Sequence, residues 1–321
     1  MEGCSQLENF PCISENIHTF VISDTAVDEV PTSIKLWSHL DELEISGNEK
    51  LKTLPQLPMN ITWLNLSNNC FTSISDCCIK SLGRLREFTI SGCRKLTSLP
   101  ELPPSLERLD ARDCESLKTV SFTSDISGYQ ILNYTNSELN FANCLKLDEE
   151  ARSAIIQDSF YYGVAILPGT QVPAEFNHRA MGNTLSFTLA AFSTFKVCLV
   201  ISPSELATED EFTTVILCRG IRKGFVYPVK EIHCAISTCQ KKHLCVFHYE
   251  WLHEYIWKVS REIVFEFSSK FQDFDIIECG AQILTYDAHM LMFDTEESDN
   301  DEEDYKSESG EACKDEDEGI A

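Results

Sequence analysis

Along the first 144 residues one pattern of apolar and polar positions recurs. Leu40-x-x-Leu43-x-Ile45-x-x-Asn48, Ile61-x-x-Leu64-x-Leu66-x-x-Asn69, Leu85-x-x-Phe88-x-Ile90-x-x-Cys93 and Leu106-x-x-Leu109-x-Ala111-x-x-Cys114 share a single template. The last two apolar positions of each copy alternate with polar ones, which is the period of a short strand with one buried face. A second apolar pair closes each turn: Leu51 with Leu54, Phe71 with Ile74, Leu96 with Leu99, and Leu117 with Val120. A segment this short cannot bury its apolar face alone, so the copies must stack as a solenoid.

Repeat spacings of 21 to 24 residues fit leucine-rich repeats, and the predicted fold of residues 1–144 is an α/β leucine-rich-repeat solenoid. Ile17-x-x-Phe20-x-Ile22-x-x-Thr25 adds an earlier copy, and Leu139-x-Phe141-x-x-Cys144 a degenerate later one. Asn48, Asn69, Cys93, Cys114 and Cys144 then share one structural position. There a small polar side chain turns inward and bonds backbone groups that the turn leaves unpaired. Glu44, Asn65, Thr89, Asp110 and Arg112 flank the strands and are predicted to point outward on the concave face, as candidate protein-binding residues. Gly3-Cys4-x-x-Leu7-x-x-Phe10-Pro11 reads as the second half of a repeat, so the sequence is expected to start inside a solenoid and to derive from a longer protein.

The period changes twice further on. Residues 145–162 carry Leu147, Ala151, Ile155 and Ser159 at helical spacing behind Asp148, Glu149 and Glu150, where a helix dipole favours acids. A junction helix is predicted there. From 163 to 290 the pattern is of β-branched and aromatic stretches broken by turns: 185–192, 196–201, 212–218, 229–237, 244–249, 262–267 and 275–286. At least seven strands with few helical stretches between them predict an all-β sandwich of jelly-roll or immunoglobulin-like type. Residues 291–321 are predicted to be a disordered acidic tail, because they lack the apolar residues that offset chain entropy.

The formal charge of −25 is concentrated in that tail: from Asp294 onward fourteen acidic residues face only Lys306 and Lys314. No basic stripe exists to neutralise phosphates, so neither nucleic acid nor an anionic membrane is an expected partner. Fifteen cysteines, no signal-like opening and no long apolar run predict free thiols and a cytoplasmic or nuclear location. Asn60, Asn65 and Asn133 each open an N-x-Ser/Thr triplet, which has no consequence in those compartments.

One grouping of side chains bears on catalysis. His233, Cys234, Cys239, His243, Cys245 and His248 fall within sixteen residues. Their spacing lacks the two close pairs of a zinc site and falls where strands alternate sides. No nucleophile signature surrounds any cysteine. A zinc-dependent or thiol enzyme is therefore the alternative class, and the predicted protein is not an enzyme and uses no cofactor. Tyr249, Trp251, Tyr255 and Trp257 form an aromatic stretch suited to core packing or, where exposed, to anchoring a partner.

Leu167-Pro168-Gly169-x-x-Val172-Pro173-x-x-Phe176-x-His178-Arg179-x-x-Gly182-x-x-Leu185 resembles the start of the post-repeat domain of plant TIR-type nucleotide-binding leucine-rich-repeat immune receptors. Phe265-Glu266-Phe267 and Ile277-x-Cys279-Gly280 resemble its closing strands. The stretch from Thr25 to Ile34 and the Asn143-Cys144-x-x-Leu147 junction are similar to the same family. The resemblance implies a C-terminal jelly-roll domain that, with the repeats, senses a pathogen effector protein. It also implies structural roles for Pro168, Gly169, Pro173, Phe176, His178, Gly182, Cys279 and Gly280. Glu175 departs from the aromatic residue that often precedes Phe176. No Gly-x-x-x-x-Gly-Lys-Ser/Thr loop is present, so the family's nucleotide binding does not carry over to these residues. The expected function is non-catalytic effector recognition in defence. The alternative within the class is a truncated adaptor or decoy that partners a full-length immune receptor.

Overall fold

The computed structural model describes residues 2–11, 16–122, 137–159, 163–189, 193–204, 214–227, 229–234, 241–249 and 261–285. The acidic tail, Trp251, Tyr255, Trp257, Cys239 and Asn133 lie outside the described residues.

Among the described residues, eight short strands build the repeats: β1 (Thr19–Ser23), β2 (Glu42–Ser46), β3 (Trp63–Asn65), β4 (Glu87–Thr89), β5 (Ser98–Leu102), β6 (Arg108–Asp110), β7 (Thr119–Phe122) and β8 (Glu138–Asn140). All but β5 and β7 lie in one parallel ladder; those two pair with each other in a separate two-stranded sheet that the apolar pattern did not predict. A four-residue helix, α1 (Asp76–Ile79), occupies one of the return segments.

Two backbone devices hold successive coils in register. Gly3, Asp24, Gly47, Asn68, Gly92, Asp113 and Asn143 all adopt φ between 53° and 71°, a left-handed conformation tolerated by Gly, Asn and Asp. The amides of the first six donate to the next coil, on Ser23, Ser46, Ser67, Ser91, Arg112 and Ala142, at 2.8–3.1 Å. Gly47 and Gly92 are glycine for a further reason. A Cβ on either would lie 2.1 Å from the side-chain oxygen of Asp24 or Asn68 in the preceding coil.

The second device is the Asn/Cys position read from the sequence. Asn48 Oδ1 accepts the Thr25 amide at 3.1 Å, and Asn69 Oδ1 accepts the Asn48 amide at 3.0 Å. Asn69 Nδ2 donates to the carbonyls of Ile45 (2.6 Å) and Leu66 (2.8 Å). Cys93, Cys114 and Cys144 each donate a thiol hydrogen to the preceding coil, on Leu66, Ile90 and Ala111. The sulfurs of Cys93 and Cys114 also accept from the amides of Asn69 and Cys93 in the preceding coil, so cysteine keeps the same ladder through one weakly polar atom where asparagine uses two strong ones.

Helix α2 (Glu149–Asp158) follows, capped by the Asp148 side chain accepting the Ala151 amide at 2.8 Å, with Glu149 and Glu150 in its first turn. Ala151 and Ile155 are buried. The Ile156 carbonyl in its last turn accepts twice, from the Ser159 hydroxyl at 2.6 Å and from the buried Lys196 ammonium at 2.7 Å, and a cation suits that end of a helix.

The remaining strands are β9 (Val164–Pro168), β10 (His178–Met181), β11 (Thr184–Leu189), β12 (Ser193–Pro203), β13 (Thr214–Arg222), β14 (Phe225–Val226), β15 (Lys230–Cys234), β16 (His243–Tyr249), β17 (Arg261–Ser269) and β18 (Phe274–Thr285). They form two layers, and the first is the repeat sheet itself. β9 pairs in parallel with β8 and antiparallel with β16, so one eleven-stranded sheet runs β1-β2-β3-β4-β6-β8-β9-β16-β12-β18-β10. The second layer is β11-β17-β13-β14, with β15 also on β13. Met1–Thr285 forms one compact unit.

The register gives each face of the long sheet its character. One row reads Phe20, Leu43, Leu64, Phe88, Leu109, Leu139, Ala165, Val246, Cys198 and Gly280. Its side chains belong to the solenoid core, which therefore continues beneath the two-layer part. On the opposite face the row Val21, Glu44, Asn65, Thr89, Asp110, Asn140 turns apolar at β9, continuing as Ile166, Cys245, Leu199 and Cys279. The change falls where the second layer covers the sheet and forms its own core of Phe187, Ile216, Phe265 and Phe267 against Phe195, Val197 and Phe247.

Candidate recognition face

Among the described residues the outward face of the sheet is open over β1, β2, β3, β4 and β6, and it closes at β8, where Asn140 is buried. The sequence-predicted residues Glu44, Asn65, Thr89 and Asp110 are aligned by register into one row and are half-buried. Arg112 lies two residues beyond Asp110, outside β6. Several of these side chains serve the face itself. Asn65 Oδ1 accepts both the amide and hydroxyl of Ser67, at 3.0 and 2.6 Å. Glu44 accepts the Ser46 hydroxyl at 2.7 Å. Arg112 folds back as a fork on Asp110, with Nε–Oδ1 at 2.9 Å and Nη2–Oδ2 at 2.8 Å, which holds the guanidinium more firmly protonated than usual.

A second outward row was missed by the sequence reading, although the two-residue period of a strand would have supplied it. Thr19, Glu42, Trp63, Glu87, Arg108 and Glu138 lie in register across the same strands. Glu42 and Arg108 are exposed, Trp63 is half-buried between Glu42 and Glu87, and Arg108 lies 3.6 Å from Glu87. The two outward rows carry Glu42, Glu44, Glu87, Asp110 and Glu138 against Arg108, with Arg112 folded onto Asp110, so the floor keeps an acidic excess with an aromatic near its centre. The second layer bounds it: β15 lies against β9, and β15 brings exposed Glu231 and His233, with Lys270 on Glu231 at 2.8 Å.

The eight family-motif residues converge at the far end of the sheet. Pro168 ends β9. Gly169 leaves no room for a Cβ, which would sit 2.4 Å from Leu244 Cγ. The following loop folds over β18, where the Val172 amide donates to Glu278 at 2.9 Å and fully buried Phe176 lies over Gly280. A Cβ on Gly280 would meet Val172 at 2.6 Å and Phe176 at 3.2 Å. Arg179 ties the loop by donating to the carbonyls of Pro173 and Phe176 at 2.7 and 2.9 Å. His178 stacks on Phe187, with ring centres 5.2 Å apart. Gly182 turns the chain at φ 82°, and Cys279 is buried. Glu175 points into solvent.

The described members of the histidine and cysteine grouping at 233–248 are dispersed. His233 is exposed, whereas Cys234 is buried on the same strand. On β16, Cys245 faces the core between the layers, while Leu244 and Val246 beside it belong to the solenoid core. Strand alternation sends His248 to the latter side as well, where burial and the nearby Lys196 and Lys230 lower its pKa to about 4. His243 has both ring nitrogens in hydrogen bonds. No group of three metal-binding side chains occurs among the described residues. Three of the buried thiols, Cys93, Cys234 and Cys279, are held protonated. Burial pushes Cys93 and Cys279 up to about 12, and a hydrogen bond with Cys245 followed by burial raises Cys234 well above the usual thiol range. A chelator is accordingly expected to leave the melting temperature of the purified chain unchanged; a drop of several degrees on EDTA treatment would restore the metal reading.

No protein-family model matches the chain. Over 280 residues, 85% of the chain, it is 41% identical to disease resistance protein RML1B of Arabidopsis thaliana. Over 298 residues, 89% of the chain, it is 41% identical to disease resistance protein RML1A of the same plant. The chain belongs to the plant disease resistance proteins. A further relative, probable disease resistance protein RPP1 of Arabidopsis thaliana, is 34% identical over 295 residues. The chain spans about a quarter of the length of these resistance proteins: 28% of RML1A, 26% of RML1B and 23% of RPP1. Among solved structures, the leucine-rich repeat domain of the type III effector XCV3220 (XopL) covers 41% of the chain at 22% identity and a TM-score of 0.31. The repeat architecture rests on the parallel ladder and its Asn/Cys position.

Proposed function

We propose that this chain is the sensing segment of a plant immune receptor, a non-catalytic module that recognises a pathogen effector protein in the cytoplasm or nucleus. In this reading the two-layer part is a jelly-roll or immunoglobulin-like domain of the kind that follows the repeats in TIR-type receptors. The observation that carries the reading is the open polar face over β1, β2, β3, β4 and β6, laid on a sheet whose other face is packed into the solenoid core. A rigid, extended surface of this kind suits protein recognition, and its side chains vary without disturbing the core. Family membership supports the defence role, and the twelve described cysteines, all free, fit a reducing compartment.

The chemistry of the floor specifies the partner's complement. Acidic side chains around Trp63 favour a protein surface carrying Lys and Arg, which would pair with Glu42 and Glu87 and stack on the indole. The test is binding of the full chain to a panel of purified effectors by biolayer interferometry, with Trp63→Ala and Glu87→Lys as variants. For a captured effector, each is expected to weaken binding at least tenfold, about 1.4 kcal/mol, with unchanged circular dichroism and with affinity falling as salt rises. Binding indifferent to both substitutions would place recognition elsewhere.

A further inference from the structure

Each coil of the solenoid leaves one backbone donor that only the next coil can satisfy. From Gly3 to Asp113, the left-handed residue after each strand gives its amide hydrogen to a carbonyl one coil further on. Asn143 is the last of the series, with φ 62°. Continuing the register, its acceptor would belong to Pro168, because Asn140 pairs with Ile166. At Pro168 the chain leaves the ladder for the loop over β18.

The amide of Asn143 donates instead to Nε2 of His243, at 2.9 Å. His243 is the antiparallel neighbour of Pro168; its residue is fully buried, and Nδ1 bonds the Lys241 carbonyl at 2.8 Å. A carbonyl takes a hydrogen only by donation, so Nδ1 carries the proton and Nε2 presents a lone pair. The Asn143 side chain is fixed as well, donating from Nδ2 to Asp113 Oδ1 at 2.8 Å.

We propose that His243 is the closing rung of the solenoid, its neutral imidazole standing in for the carbonyl of a further coil and locking the last repeat to the two-layer part. Two portions of the chain separated by 100 residues are joined here by a side chain that has an acidic off-state. Protonation would turn Nε2 from acceptor into donor, facing an amide hydrogen. The described surroundings oppose that charge by burial, offset in part first by the Lys241 carbonyl on Nδ1 and then by the Asp113 carboxylate. Pro168 on β9 and Ile201 on β12, the flanking residues of the sheet, bring no titratable group. Because the folded state holds the imidazole below its ordinary pKa, the stabilisation is complete above about pH 6.5 and is lost progressively as the pH falls below that value.

Hydrogen exchange resolved to single amides tests the lock on the full chain, with exchange corrected for the intrinsic effect of pH. In the wild type the Asn143 amide is expected to be protected at pH 7.5 and to open several-fold more by pH 5.5, with about tenfold as the ceiling for one imidazole of ordinary pKa about 6.5. His243→Leu should abolish that protection at pH 7.5 while leaving the Asp113 amide, which bonds Ala142, protected. His243→Gln presents a carbonyl oxygen that cannot titrate near neutrality, so it should keep Asn143 protected and remove the local acid response. The Gln variant also separates His243 from His248, whose titration it leaves in place. Undiminished protection of Asn143 in the Leu variant, or an unchanged acid response at Asn143 in the Gln variant, would overturn the proposal.

Discussion

Replacing Phe265 with alanine is expected to destabilise the chain by about 3–5 kcal/mol, the range for removing a buried aromatic from a core that cannot collapse. Phe265 is fully buried, with ring centres of Phe187, Phe195 and Phe267 at 5.5, 5.1 and 6.3 Å. Phe195 belongs to the long sheet and the others to the second layer, so the ring fills the space between the layers. Its loss should be visible as a lower urea midpoint and a weaker near-ultraviolet dichroism from the surrounding aromatics. Phe265→Leu, which retains most of the volume, should recover much of the loss. A cost below about 1 kcal/mol, the range of mild substitutions, would mean that the layers are not closed on this cluster.

The second large effect is expected within the repeats. Asn69→Leu keeps the approximate size of the side chain but removes the acceptor for the Asn48 amide and the donors to Ile45 and Leu66. Those backbone groups lie at a fully buried ladder position, where each unsatisfied group costs about 1–3 kcal/mol. A total loss of about 3 kcal/mol or more is expected from urea unfolding, on the same per-group basis. Cys93→Ala is the contrasting case. Its sulfur bonds are weak, donating to the Leu66 carbonyl at 3.3 Å and accepting from the Asn69 amide, and with the small volume change their loss should cost about 1–2 kcal/mol. Equal costs at the two positions would contradict the hydrogen-bonding account of the ladder.

The repeats were legible because their determinants are local and recur. Leu64 and Leu66 mark a strand, Asn69 marks the turn after it, and the next copy repeats both. Helix α2 was legible from Asp148 and the spacing of Ala151 and Ile155, but the Lys196 ammonium on its last turn lies some forty residues away and carries no helical signal. The strands at residues 196–201 and 262–267 were visible as β-branched and aromatic runs. That β9 joins the repeat sheet was not visible, since strand pairing is set by tertiary packing and the period of a strand is indifferent to its neighbour.

The candidate face shows the same division. Asn65, Thr89 and Asp110 follow from the template, and Trp63 and Arg108 would have followed from counting two residues back. The bonds that tether Asn65 to Ser67 and Asp110 to Arg112 depend on rotamers and had no sequence signal. His243 is the clearest case. Its position among cysteines and histidines suggested metal chemistry, while its actual partner, the Asn143 amide, lies 100 residues earlier.

Because the second layer stands on the same sheet as the open strands, it is fixed in register with them and forms a stop at one end of a trough. Inserting or deleting a whole repeat would move that stop by about 4.8 Å, one interstrand spacing, while leaving its own construction intact. If the proposed recognition role holds, point substitution of outward residues would alter what the trough favours, whereas a change in copy number would alter the length of ligand that reaches from the acidic floor to the stop. The architecture thus has a ruler graduated in single coils, adjustable separately from the chemistry printed along it.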